Sequence, residues 1–114
     1  MHELAITKNL IETIISECNE QKIIPRKIIT DLGALTSYKK EPIMFYYDIL
    51  KKEKKLLFDA KLEINFIKGR ILCNSCNSET EIEEDIILLC PKCESTDIKI
   101  VEGKEFKLRE ILVW

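Results

Sequence analysis

A single histidine is all the imidazole this 114-residue chain has, and it stands at position two. One imidazole so placed makes no His–Ser or His–Cys pair for nucleophilic catalysis, so no enzyme activity is expected. Long apolar runs are missing as well. No stretch approaches the ~18 residues that a membrane span requires, and Glu3, Lys8 and Glu12 interrupt the start too early for a signal peptide. The expected localisation is therefore cytoplasmic, where thiols stay reduced. There is no basic excess either. Eighteen Lys and Arg against 20 Asp and Glu leave a net charge of −2, which counts against nucleic acid as a partner. Internal repeats and low-complexity segments are absent, and glycine numbers only three.

A chain of 114 residues makes one domain, or one domain with a small satellite, with little core to spare. Its five cysteines, in a reducing compartment, point to a metal site before they point to disulfides.

The patterning sets out the order of elements. From Leu4 to Cys18 the residues Leu4, Ile6, Leu10, Ile11, Ile14, Ile15 and Cys18 fall on one helical stripe, with Thr7, Lys8, Glu12 and Glu17 opposite. Asn19 and Pro25 bound that helix, and Cys18 reads as a buried free thiol. "RKIITDLG" is β-branched and predicts a strand ending at Gly33. "EPIMFYYDILKK" predicts a second helix with Pro42 in its first turn and solvated lysines towards its end. "KLEINFIKG" alternates, placing Leu62, Ile64 and Phe66 on one face. The tail "KEFKLREILVW" changes parity near Arg109–Glu110, which predicts a bulge or twist there, and Trp114 is expected to anchor the last strand.

The expected fold is α+β: a small three-stranded sheet with two helices, carrying an inserted zinc-ribbon-like module. Residues 1–69 plus 103–114 would form the α/β domain and residues 70–102 the module, flanked by Gly69 and Gly103.

Within that module "CNSC" and "CPKC" place Cys73, Cys76, Cys90 and Cys93 in two C-x2-C pairs. Each pair can wrap one side of an ion, and four thiolates complete the tetrahedron that Zn²⁺ prefers, with no position left open for substrate. The site reads as structural; iron is the alternative occupant. Asn77 and Glu94 follow the second cysteine of each pair, where many zinc knuckles have glycine. Asn tolerates a positive φ more readily than Glu, so the second knuckle is expected to be strained or differently shaped.

At the other end, the Met1 amine, the His2 amide nitrogen and the His2 Nδ1 lie in succession along the chain. Together they close one five-membered and one six-membered chelate ring, a nitrogen-rich set suited to Ni²⁺ or Cu²⁺. The first amides of a helix have no intrahelical partners, so a metal can replace a proton there at no cost to the ladder. Glu3 can add a carboxylate or hydrogen-bond to the imidazole. The alternative is an exposed histidine on a fraying end.

An initial "MHE", "LGALT" after the first strand, "CNSC…CPKC" and a closing "IVEGKEFKLREILV" stand together in this order. With them the whole chain resembles the HypA/HybF family of nickel metallochaperones. The resemblance implies a nickel site on Met1, His2 and Glu3 and structural zinc on Cys73, Cys76, Cys90 and Cys93. It implies nickel, Ni(II), as cargo for maturation of nickel–iron hydrogenase, in some members urease. It implies as partners a nickel-handling GTPase, the hydrogenase large-subunit precursor and, in some members, urease accessory proteins. Gly33-Ala34-Leu35-Thr36 departs from the family's frequent Gly-Glu-Leu-Ser, and no histidine flanks the cysteine pairs to switch the zinc site with pH. A monomer is expected, with strand or module exchange giving a dimer as the alternative. Two other classes fit the cysteines alone: a zinc-ribbon nucleic-acid or protein interaction module, and a rubredoxin-like iron protein.

Overall fold

The computed structural model describes residues 3–83 and 89–114; Met1 and His2 lie outside the described residues. Helix α1 runs from Glu3 to Gln21, strand β1 from Pro25 to Gly33 and helix α2 from Lys40 to Leu50, followed by 3-10 turns at Lys51–Glu53 and Lys55–Leu57. Five strands complete the chain: β2 (Lys61–Ile67), β3 (Gly69–Cys73), β4 (Glu79–Ile82), β5 (Ile98–Glu102) and β6 (Phe106–Val113). They form two three-stranded sheets in the orders β2-β1-β6 and β4-β3-β5. The fold is α+β, and the last strand returns beside the first, as its patterning implied. No described helix is long and apolar enough to cross a membrane.

The chain divides into two compact units. The first comprises residues 1–30, 38–65 and 107–114, and the second residues 31–37 and 66–106.

In the first unit α1 packs against α2. Its core is centred on Ile14, Ile28, Ile43, Tyr47 and Leu57, each fully buried. Tyr47 carries its hydroxyl inside, where it donates to the Ala60 carbonyl at 2.7 Å; burial, with the Asp48 charge second, pushes its ionisation well above the ordinary range.

The stripe along α1 is shifted at its start. Glu3 and Thr7 are buried and Leu4 is exposed, so the first turn turns a polar face inward. Thr7, expected on the outer face, donates its Oγ1 to the Glu3 carbonyl one turn back, which satisfies the hydroxyl without a distant partner. The helix also outruns Asn19. It closes when the Ile23 N–H reaches back to the Cys18 carbonyl at 3.0 Å, with Lys22 at φ 56° in the left-handed position that glycine usually fills. Cys18 is buried, as its place on the stripe implied, and burial raises its thiol pKa, with Glu17 adding a smaller push.

The strands bring two further corrections. Leu62 and Ile64 are buried as their alternation requires, but Phe66 is 61% exposed. In β6 the half-buried positions are Phe106, Leu108, Ile111 and Leu112, with Arg109 and Glu110 exposed between them; Val113, expected on the face of Ile111, is exposed. Trp114 is no packing anchor. Its side chain is 72% exposed, and it is its backbone N–H that ties the end, to the Ile24 carbonyl at 3.2 Å.

The second unit brings the chain's three glycines together. A Cβ on Gly33 would lie 2.1 Å from the Gly103 carbonyl oxygen, and one on Gly103 would lie 2.6 Å from the Gly69 Cα. Gly103 also holds φ +91°, so it needs glycine twice over. Beside them the Gly33 N–H donates to Glu105 O, Ala34 to Ile67 O and Leu35 to Gly103 O, all within 2.9 Å, which seats "LGALT" in this unit. Backbone atoms cannot step aside as a flexible side chain could. Gly33→Ala is therefore expected to cost about 3 kcal/mol, the upper end of overpacking penalties, read as a lowered midpoint in urea unfolding. An unchanged midpoint would show that the backbones can part without penalty.

Candidate metal centre

Strand β3 ends on Cys73, so the first ligand is delivered by a strand whose register is set on both sides. Ile71 lies opposite Thr80 of β4 and Ile100 of β5, and Cys73 lies opposite Ile98. From Cys73 the chain turns tightly. The Asn77 N–H donates to the Cys73 carbonyl and the Cys73 N–H to the Ser78 carbonyl, both at 2.9 Å. Seventeen residues on, the Glu94 N–H donates to Cys90 O at 2.8 Å and the Cys90 N–H to Ser95 O at 2.9 Å.

The two knuckles therefore have one shape, and the price of it falls on Glu94. Asn77 sits at φ 59° and Glu94 at φ 61°, the left-handed region that asparagine visits readily and glutamate does not. Strain was expected in the second knuckle; the difference in shape is absent, because the same two backbone hydrogen bonds dictate the turn. Glu94→Gly should tighten apparent metal affinity by about fivefold, equivalent to roughly 1 kcal/mol of relieved strain, whereas Asn77→Gly should change it little. A chelator competition measures both, and equal effects would refute the assignment of strain to Glu94.

The turns converge four sulfurs. Cys73 and Cys93 Sγ are 3.5 Å apart, Cys76 and Cys90 Sγ are 3.6 Å apart, and all four lie within 4.8 Å of one another. A regular tetrahedron with metal–sulfur distances near 2.3 Å has edges of about 3.8 Å. The donor set fits a tetrahedral thiophilic cation, and the separations are far longer than a disulfide bond. Cys73 and Cys90 are buried, whereas Cys76 and Cys93 are exposed.

Backbone donors feed the cluster: the Cys76 N–H points at Cys73 Sγ at 3.4 Å. Cys76 is drawn down to about 6 by the Ser78 hydroxyl first and the Ser78 N–H second. On Cys93 the Ser95 N–H pulls downward too, but the Cys73 thiol, desolvation and the other two thiols outweigh it and raise the group to about 12. Thiols this close cannot all ionise without a cation among them.

Contacts that the cysteine spacing did not reveal tie the knuckles together. Asn74 donates its N–H to Asp97 O at 3.0 Å and its Nδ2–H to Asp97 Oδ1 at 3.1 Å. Ser75 and Ser95 share a hydroxyl hydrogen bond of 2.9 Å. The recurring "S" two residues beyond each pair was the only trace of this in the sequence.

Of the residues expected to hold nickel, Glu3 alone lies in the described part. It is buried, and its Oε2 accepts the Lys39 N–H at 3.1 Å, just ahead of α2, where a negative charge suits the helix dipole. The Glu3 and Lys39 N–H groups are among the donors that lower its carboxyl to about 2 against the opposing effect of burial.

Comparison with known proteins decides what this centre belongs to. The family described as hydrogenase/urease nickel incorporation, metallochaperone, HypA matches residues 1–113. The chain belongs to the HypA family. Among relatives, the hydrogenase maturation factor HypA of Moorella thermoacetica is 38% identical over 107 residues, covering 93% of each chain. That of Methanococcus maripaludis strain S2 is 29% identical over 116 residues, covering 95% of this chain and 91% of its own. The solution structure of the nickel metallochaperone HypA from Helicobacter pylori shares the fold, with a TM-score of 0.74 at 20% identity, covering 99% of this chain and 97% of that one. Family membership places the chain with nickel metallochaperones that serve hydrogenase maturation.

Proposed function

We propose that this HypA-family chain accepts Ni²⁺ at Met1–His2–Glu3 and releases it during assembly of a nickel–iron hydrogenase, while Cys73, Cys76, Cys90 and Cys93 hold a structural Zn²⁺. The observation that carries the reading is the match to the nickel-incorporation family over residues 1–113. The chelate geometry of a free amine, an amide nitrogen and an imidazole supports the nickel half of it. The converging sulfurs support the zinc half.

The two metals do different work. Zinc on four thiolates leaves no open position, so it supplies shape rather than chemistry. Nickel is cargo, so its site must yield the ion to an incoming ligand. Transfer then runs by ligand exchange: a donor of the receiving protein enters as the imidazole or amine leaves, and no bare ion is freed. Glu3, whose Oε2 accepts the Lys39 N–H, would add a carboxylate to the metal or hydrogen-bond to the imidazole. The receiving proteins are the nickel-handling GTPase and the hydrogenase large-subunit precursor, with urease accessory proteins as a further destination.

Delivery is the test. Cells without this chain are expected to lose nickel–iron hydrogenase activity at low nickel and regain it at high nickel. Loss that added nickel does not reverse would remove nickel delivery from its role.

A further inference from the structure

The two knuckles share two backbone donors, and the second adds the Lys92 N–H on Cys90 Sγ. The Cys76 N–H faces Cys73 Sγ as the Cys93 N–H faces Cys90 Sγ, and the Ser78 N–H faces Cys76 Sγ as the Ser95 N–H faces Cys93 Sγ. Serine follows at the equivalent place in each, two residues past the second cysteine. Their hydroxyls nevertheless go to different partners. Ser78 Oγ lies 3.3 Å from Cys76 Sγ, within its own knuckle. Ser95 Oγ is 2.9 Å from Ser75 Oγ and accepts the Asp97 N–H at 3.1 Å, so it bridges the knuckles and leaves its sulfur alone. A metal-bound thiolate has no proton to give, so at the loaded site the Ser78 hydroxyl is the donor.

We infer that Ser78 is a positioning residue of the metal centre: its hydroxyl donates to the Cys76 thiolate and makes the tetrathiolate site asymmetric, because Cys93, the other exposed sulfur and the counterpart of Cys76 in the second knuckle, has no such hydroxyl. This rests on the tetrathiolate reading proposed above. A donor on a thiolate withdraws charge from sulfur, fixes its direction and lowers its tendency to leave as a protonated thiol. Cys93 lacks that support, so it is the ligand that dissociates first when a chelator competes for the metal.

The spectrum of cobalt-substituted protein separates this role from a merely structural one, because thiolate-to-cobalt charge transfer reports the electron density on sulfur. Ser78→Ala should move that band to lower energy and weaken zinc binding roughly tenfold, and Ser78→Thr should restore both. Ser95→Ala should leave the band in place, since its hydroxyl touches no ligand. A band that stays put in Ser78→Ala, or moves equally in Ser95→Ala, overturns the inference even where affinity falls. Wild-type protein that gives no tetrathiolate cobalt spectrum overturns the zinc reading itself, and this inference with it.

Discussion

Zinc-loaded wild-type protein is expected to bind one Ni²⁺ per chain in calorimetric titration, and His2→Ala is expected to bind none that can be measured. The size of the effect follows from chelation. Removing the imidazole deletes the six-membered ring and leaves an amine and an amide, and an amide does not surrender its proton to a metal unless strong donors on both sides hold the ion in place. A variant with residues added before Met1 should fail in the same way, since its amine is no longer next to His2. Neither change touches Cys73, Cys76, Cys90 or Cys93, so zinc content should stay as it was. Glu3→Gln separates the remaining role. Its amide oxygen can still accept the Lys39 N–H, but the negative charge beside the first turn of α2 is lost. Equal nickel binding by the wild type and both terminal variants would move the nickel site elsewhere in the molecule.

Removal of one buried cysteine should have a larger structural effect. Among the described residues from 66 to 106, Ile71 is the one fully buried aliphatic side chain, and the alternate positions of β4 and β5 are only half covered. A buried aliphatic contributes about 1.5–3 kcal/mol. Zinc bound by comparable small modules contributes roughly 10–16 kcal/mol at neutral pH. The metal is thus the main source of order there, and Cys90→Ser should release it and unfold β3, β4 and β5. Circular dichroism should record the loss of strand signal, with limited proteolysis cutting within residues 66–106. Excess chelator acting on the wild type should give the same cuts. Cys18→Ala, which deletes a buried thiol that is no part of the four-cysteine cluster, is the control and should only lower the melting temperature slightly. A Cys90→Ser protein that keeps its strands and resists the protease would show that the second unit stands without metal.

The parts legible in the sequence share one property: their geometry is local. Two cysteines three apart can wrap one side of an ion in a local turn, so the four-cysteine cluster could be anticipated residue by residue. The stripe from Leu10 to Cys18 and the alternation of Leu62 and Ile64 likewise follow from periods of 3.6 and 2. What escaped depends on which distant segment arrives next. Thr7 looked like an outward polar residue and Glu3 was read only as a metal or imidazole partner, yet both are buried, and the segment before α2 brings the Lys39 N–H to the Glu3 carboxylate. Phe66 and Trp114 carry apolar side chains at positions the fold leaves to solvent.

By itself the sequence determined the order of elements, the four-cysteine cluster and the family, because each rests on residues and spacing along the chain. Only the tertiary structure decided that Gly33, Gly69 and Gly103 meet and that Ser78 and Ser95 part company. The reason is physical. A close approach of backbones, and the Ser75 hydroxyl that holds Ser95, depend on segments far apart in the chain, and no period in the sequence encodes them.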